Sequence, residues 1–219
     1  MTEKKSGSHQ IKSTTNLPSL NTQKNRMALI LCVAENYATF FVLDHALGFS
    51  THKIHEVNFD IMEQISTKEF NIIKSHQLLY INALSVESKF KFVSIGNLYH
   101  KDYGMGVKVV AKSRISNNEI LQNLGGTLCT VDDSFIKTYP SVESFLVRTM
   151  QKKQQKLWLG PAAFINHGCK NNNVVMNSLD ANSACVKATR VIEPGEEIIL
   201  HYGENYFSSG ECSCTMCSL

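Results

Sequence analysis

Proline is scarce in this chain, at 4 of 219 residues, and residues 27 to 92 contain none, so nothing in that span forbids helix. Long apolar runs are missing too. No stretch approaches the roughly 20 residues that a membrane-spanning helix needs, and membrane partners are not expected. The N-terminus opens on a polar segment rather than a charged cap followed by an apolar one, so no secretory signal is expected and the protein reads as intracellular. In a reducing compartment a disulfide framework does not persist, and the seven cysteines read as thiols and metal ligands. A large excess of charge is also lacking. The formal net charge is +3, and Lys4, Lys5, Lys12, Lys24 and Arg26 against Glu3 put +4 of it in residues 1–26, leaving −1 for the remainder. Such a body is a poor match for counterion-release binding to nucleic acid, and sequence-specific DNA binding is not expected. There are no internal repeats. A hydrophobic content of 43% supplies one sizeable core with room for a smaller satellite domain.

Residues 1–26 are Ser, Thr, Asn, Gln and Lys with hardly any apolar content, which cannot repay the entropy of ordering. They read as a disordered basic tail, either simply solvated or an arm that holds the protein near acidic chromatin. Residues 27–92 read as a helical subdomain. Ala38, Phe41, Val42, Ala46 and Leu47 recur at three- and four-residue spacing with Gly48 behind them as a cap, and a second helix is expected from about Thr67 to Leu84. Near Lys91 the texture changes to short Val- and Ile-rich runs: Val107 to Ala111, Ile120 to Leu121, Val174 to Met176, Ala184 to Ala188 and Ile198 to Leu200. Turns are expected between them at Ser116-Asn117-Asn118, Gly125-Gly126 and Glu193-Pro194-Gly195. This is the pattern of a compact, mainly β domain, interrupted by an expected helical insertion over Asp132 to Gln155. The fold class is α+β.

Chemistry concentrates in four places. Cys212, Cys214 and Cys217 form a C-x-C-x2-C tail, enough soft thiolates for three corners of a tetrahedral Zn²⁺ site. The fourth corner must come from elsewhere, with Cys169, Cys32, Cys129, Cys185 and the histidines as candidates. Tyr103-Gly104-Met105-Gly106-Val107-Lys108 places a G-x-G at the entry to a strand, where missing side chains let a ligand approach backbone; a plain β-turn would look the same. Gly160-Pro161-Ala162-Ala163-Phe164-Ile165-Asn166-His167-Gly168-Cys169 leads into Asn-His-x-Cys. An isolated Asn-His pair is ordinarily a hydrogen-bonded core pair, but here Cys169 offers the thiolate the tail lacks. Finally, Glu193-Pro194-Gly195-Glu196-Glu197-Ile198-Ile199-Leu200-His201-Tyr202-Gly203 is a turn and strand ending at a tyrosine ten residues before the first tail cysteine.

Together these segments resemble the SET-domain lysine methyltransferases, in which G-x-G, N-H-x-C, E-P-G-E-E-I running to Y-G, and a post-SET C-x-C-x2-C follow in this order. The resemblance covers about Tyr99 to the C-terminus. Leu157-Trp158-Leu159-Gly160-Pro161-Ala162-Ala163-Phe164-Ile165-Asn166-His167 is similar to the suppressor-of-variegation type that methylates histone H4 at lysine 20 beyond the monomethyl state. Val42-Leu43-Asp44-His45-Ala46-Leu47-Gly48-Phe49 with Thr51-His52-Lys53 is similar to the N-terminal domain of that same subfamily.

With the tail (1–26) and the N-terminal helical subdomain (27–92) read from composition and spacing, the resemblance implies that a mainly β SET domain (93–203) and a zinc-binding post-SET segment (204–219) follow. It implies an S-adenosylmethionine-dependent enzyme of the nucleus, acting on the histone H4 tail in nucleosomes. A SET-fold module that binds a histone tail with little turnover, or a methyltransferase with another protein substrate, is the alternative. Tyr99, Met105, Gly106, Asn166 and His167 would border the cofactor. Cys169, Cys212, Cys214 and Cys217 would hold one structural Zn²⁺, and Tyr202 would be the active-site tyrosine. The chain departs from the subfamily pattern at Gly168, where Asp is common, at Lys170-Asn171-Asn172-Asn173, and at His201 in place of the first Tyr of Tyr-Tyr-Gly.

Overall fold

The computed structural model describes residues 27, 28, 30–32, 35, 66–96, 106–139, 145–148, 155–203, 206, 212, 214 and 217. The tail over 1–26 and the expected helix over Ala34 to Leu47 lie outside these residues, except for Glu35, which is helical.

Helix α1 spans Thr67–Ala83, as the sequence pattern implies. Ser-x-x-Glu starts it. The Ser66 hydroxyl accepts the Glu69 N–H at 3.3 Å, and the Glu69 carboxylate accepts the Ser66 N–H at 2.7 Å, so two donors left over at the helix start are satisfied reciprocally. Ile73, His76, Tyr80 and Ala83 recur at helical spacing and form the buried face. Two of them are polar, and the structure supplies their partner: Glu35, buried itself, takes His76 Nε2 at 2.7 Å and the Tyr80 hydroxyl at 2.5 Å. A carboxylate at this depth is tolerable only because it is paired on both oxygens.

Strands β1 (Phe90–Gly96) and β2 (Gly106–Ala111) form an antiparallel pair with Phe90 opposite Ala111 and Phe92 opposite Val109. The larger sheet comprises β3 (Ile120–Thr130), β4 (Leu146–Arg148), β5 (Gln155–Leu159), β6 (Asn166–His167), β7 (Val174–Ser178), β8 (Ser183–Ala188) and β9 (Ile199–Leu200), in the order β4-β5-β3-β8-β7-β9-β6. Consecutive residues of a strand point to opposite faces. Accordingly Leu128 and Trp158 join a core with Tyr80, Phe92 and Ile165, while Cys129, Leu157 and Leu159 face Ala28, Leu31 and Phe135 on the other side. Burying a leucine on either face contributes about 1.5–3 kcal/mol, and Leu124 to Leu128 of β3 and Leu157 to Leu159 of β5 are the stretches that lie between the two cores.

Two expectations need correction. Gly125-Gly126 is not a turn but lies inside β3, which runs on from Ile120 to Thr130. A Cβ on Gly126 would come within 2.6 Å of the Leu159 carbonyl oxygen and 2.8 Å of Trp158 Nε1, and one on Gly125 within 2.9 Å of the Ala184 carbonyl oxygen. The glycines are there for close strand approach, at a register shift between Leu121 and Gly125. The insertion is also not helical throughout. Helix α2 covers only Asp133–Thr138, and then Leu146–Arg148 pairs antiparallel with β5 as β4. Phe145, Leu146 and Val147 are apolar side chains partly buried against the two cores, and β4 holds Leu146 and Val147 there by edge pairing to β5. The Glu193-Pro194-Gly195 turn is present, with Gly195 at φ +88°.

Candidate functional site at the junction of two crossing segments

The 3-10 turn Pro161–Phe164 delivers the chain into β6, and β9 runs parallel beside it, with Asn166 opposite Ile199 and His167 opposite Leu200. Tyr202 therefore emerges next to Asn166 and His167. Its hydroxyl donates to the Ile165 main-chain carbonyl, and its main-chain N–H donates to His167 Nδ1 at 3.1 Å. Burial raises the phenol well above its ordinary pKa, with the neighbouring Tyr206 adding to the shift, so Tyr202 is a neutral hydroxyl whose proton is committed to Ile165. What it offers a ligand is its oxygen lone pairs. Around it stand the rings of His167 (centroids 5.3 Å apart) and Tyr206 (4.7 Å), with His201 5.1 Å from His167. Burial, then the proximity of His201, lowers the pKa of His167.

Asn166 is held by its amide. Its Nδ2 donates to Glu197 Oε1 at 2.9 Å and to the Val107 carbonyl at 3.4 Å, and Glu197 in turn stands 3.9 Å from Lys108 Nζ. That leaves the Asn166 side-chain oxygen as an acceptor on a fixed amide. Gly106, the residue before Val107, opens β2 in the same neighbourhood; Tyr99 and Met105 lie outside the described residues.

Glu197 and Asn173 are site-building residues that the sequence reading did not single out. Asn173 is fully buried and wholly satisfied: Nδ2 donates to the Glu197 carbonyl at 2.7 Å, and Oδ1 accepts the Ile199 N–H at 2.8 Å. It fastens the segment after Asn-His-x-Cys to the strand that carries Tyr202. The signal was faint: one Asn directly before a Val-Val run, among three consecutive asparagines. The departures acquire roles as well. His201 Nδ1 accepts the Gly203 N–H at 3.1 Å, supporting a turn where Gly203 has φ +106°. A Cβ at Gly168 would meet Asn171 Oδ1 at 2.2 Å and Ile199 Cγ2 at 2.5 Å, so glycine at 168 and asparagine at 171 are matched to one another.

The cysteines converge beside this junction. Cys169 Sγ lies 3.6 Å from both Cys212 Sγ and Cys217 Sγ, and His167 Nε2 lies 3.1 Å from Cys169 Sγ. The ligand atoms of His167, Cys169, Cys212 and Cys214 all fall within 4.8 Å of one another. A tetrahedron of Zn–S bonds near 2.3 Å has sulfur–sulfur edges of about 3.8 Å, so the spacing fits zinc. Hydrogen bonding from Cys217, then from Cys212, pushes the Cys169 thiol up to about 12. A cation would remove that penalty by taking the thiolates as ligands. The other candidates for the fourth corner sit elsewhere: Cys129 and Cys32 pack in the second core, with burial lifting them to about 11 and about 12, and Cys185 is buried within β8.

A sequence model of the SET domain matches residues 49–203. The chain belongs to the SET-domain family. Among curated proteins it is 24% identical to the histone-lysine N-methyltransferase Suv4-20 of Caenorhabditis briggsae over 228 aligned residues, covering 85% of this chain and 69% of that one. It is 23% identical to the Caenorhabditis elegans Suv4-20, covering 86% and 78%. A shorter match of 108 residues, at 34% identity, links it to the histone-lysine N-methyltransferase SET9 of Gibberella zeae, covering 48% of this chain and 16% of that one. These likenesses agree with the resemblance drawn from the Asn-His-x-Cys and Tyr-Gly segments.

Proposed function

We propose that this SET-domain chain, a protein-lysine N-methyltransferase by family, uses S-adenosylmethionine to methylate histone H4, at lysine 20 in nucleosomes. The nuclear, chromatin-bound setting follows from that substrate. The observation that carries the catalytic reading is the placement of Tyr202 beside Asn166 and His167, with its proton donated to Ile165 and its oxygen left as an acceptor. The H4 preference draws on likeness to the Suv4-20 proteins and on the Leu157 to His167 segment.

When bound, the cofactor supplies an electrophilic methyl group on a sulfonium. The donor set suits a cation: the amide oxygen of Asn166, the Tyr202 oxygen, and the rings of Tyr202 and Tyr206 packed edge to face. Methyl transfer is an in-line displacement, so the protein's tasks are to align a neutral amine, hold it close and exclude water. Tyr202 is equipped for alignment and not for proton removal. A phenol with a raised pKa is a poor base at neutral pH, whereas its lone pairs can accept an N–H of the amine and point the nitrogen lone pair away from the ring. Asn166 and His167, fixed by Glu197 and by the β6–β9 pairing, provide a rigid wall for the cofactor. Cys169, Cys212, Cys214 and Cys217 would hold Zn²⁺ and so anchor the tail, including Tyr206, over that wall.

The test is methylation of recombinant nucleosomes with labelled cofactor, comparing normal H4 with H4 that carries arginine in place of lysine 20. Label on normal H4 alone is the expected result. Label that persists on the arginine form sinks the lysine 20 assignment, and no label on any histone sinks the histone reading.

A further inference from the structure

His167 sits between two groups that the site needs in fixed relation, and the chemistry of an imidazole limits how it can serve both. A main-chain N–H can only donate. The Tyr202 N–H points at His167 Nδ1 at 3.1 Å, so that nitrogen must be bare. A neutral imidazole carries one proton, which then sits on Nε2, the atom 3.1 Å from Cys169 Sγ. A protonated nitrogen has no lone pair for a metal. We propose that His167 is a positioning residue and not a zinc ligand: its Nε2–H holds the Cys169 sulfur while its Nδ1 holds the backbone of Tyr202, so one ring couples the thiolate cluster to the active-site tyrosine. The proposal rests on reading the cysteines as a zinc site.

Three further features fit this role. The β6–β9 pairing ends at His167 and Leu200, and two residues further on the imidazole accepts the Tyr202 N–H. Gly168 continues the crossing by donating its N–H to the Leu200 carbonyl at 3.1 Å, which fixes the chain on both sides of the ring. The ring is packed against His201 and Tyr202, so it cannot turn to exchange its nitrogens without disturbing both. Of the two possible donor sets, the tautomer therefore selects the four cysteines and assigns His167 to the layer behind them, where a donor to a ligating sulfur orients it.

The experiment begins with wild type, so that it does not depend on any variant folding. Zinc content is measured first on the full chain, and then nitrogen-15 NMR of labelled histidine reads the protonation of each ring nitrogen of His167. Protonated Nε2 with bare Nδ1 is expected. A protein purified without zinc overturns both this proposal and the zinc reading; a zinc-loaded protein with protonated Nδ1 or metal-bound Nε2 overturns this proposal alone. His167→Asn and His167→Gln then separate the two contacts. Asn places a carbonyl near the position of Nδ1 and loses the donor to Cys169, whereas Gln reaches the position of Nε2 and loses the acceptor for Tyr202. His167→Asn is expected to surrender zinc to a chelator roughly 10-fold faster or more, with the smaller loss in turnover. His167→Gln is expected to retain zinc and to lose turnover. Equal effects of the two variants on both readouts would overturn the coupling.

Discussion

The hydroxyl of Tyr202 gives its proton to the main-chain carbonyl of Ile165, the residue immediately before Asn166. A single hydrogen bond thus registers the segment that follows β9 against the entry to β6, the strand that carries the Asn-His pair. It also decides which half of the hydroxyl's chemistry remains for a substrate.

Tyr202→Phe deletes that hydroxyl without opening a large cavity, so the fold should survive with a loss near 1 kcal/mol from the orphaned carbonyl. Turnover should suffer far more, by about tenfold or greater, because alignment of the amine matters most in the transition state. The number of methyl groups added should change too. Single-turnover methylation of nucleosomes, with products resolved by mass spectrometry at saturating cofactor, reads both; wild-type rates with an identical product distribution would take Tyr202 off the catalytic list.

How much of this was legible beforehand follows from the range of each interaction. The Ser66 to Glu69 cap and helix α1 were legible because capping and periodicity are local. The Asn-His-x-Cys and tail cysteines were legible because residue type and spacing carry the chemistry. Gly125-Gly126 misled because a glycine pair signals a turn unless one knows that Trp158 and Ala184 press on it from neighbouring strands. Glu197 was hidden for a similar reason: its partner Asn166 lies 31 residues away, and only the parallel pairing of β6 with β9 brings them together. The buried trio of Glu35, His76 and Tyr80 had no local signature either, since Glu35 reads as one more surface acid on a helix.

That trio gives a stability prediction. Glu35→Ala removes the carboxylate that His76 Nε2 and the Tyr80 hydroxyl share while both stay buried, and His76 Nδ1 already lacks a partner. Breaking a buried pair from one side costs about 3–5 kcal/mol. Urea denaturation should show the midpoint falling with little change in slope. A shift under 1 kcal/mol would mean that water reaches the site.

Gly168 and Asn171 should behave as a pair. Gly168→Ala drives a methyl into Asn171 Oδ1 and Ile199 Cγ2, and overpacking of this kind costs about 1–3 kcal/mol. Asn171→Ala removes the nearer obstacle together with a buried oxygen that has no hydrogen-bond partner. In a double-mutant cycle the second substitution should recover part of the cost of the first. Strict additivity would show that the backbone, and not Asn171, sets the requirement for glycine.

The cysteine cluster gives the most direct test of how the C-terminus is held. One zinc per chain is expected by elemental analysis, and Cys169→Ser should abolish it, because that sulfur lies 3.6 Å from both Cys212 Sγ and Cys217 Sγ. Cys129→Ser is the matched control: Cys129 is buried in the core on one face of β3 and β5, where it packs with Leu157 and Phe135, so its loss should leave zinc content unchanged. Metal binding that organises distant segments contributes folding free energy. A strong chelator should therefore lower the melting temperature of wild type and leave the already depleted Cys169→Ser protein where it was. Affinity for S-adenosylmethionine should fall in parallel, since the tail brings Tyr206 against Tyr202. If chelation empties the zinc but leaves melting and cofactor affinity as they were, the tail is held by packing and the metal is a passenger.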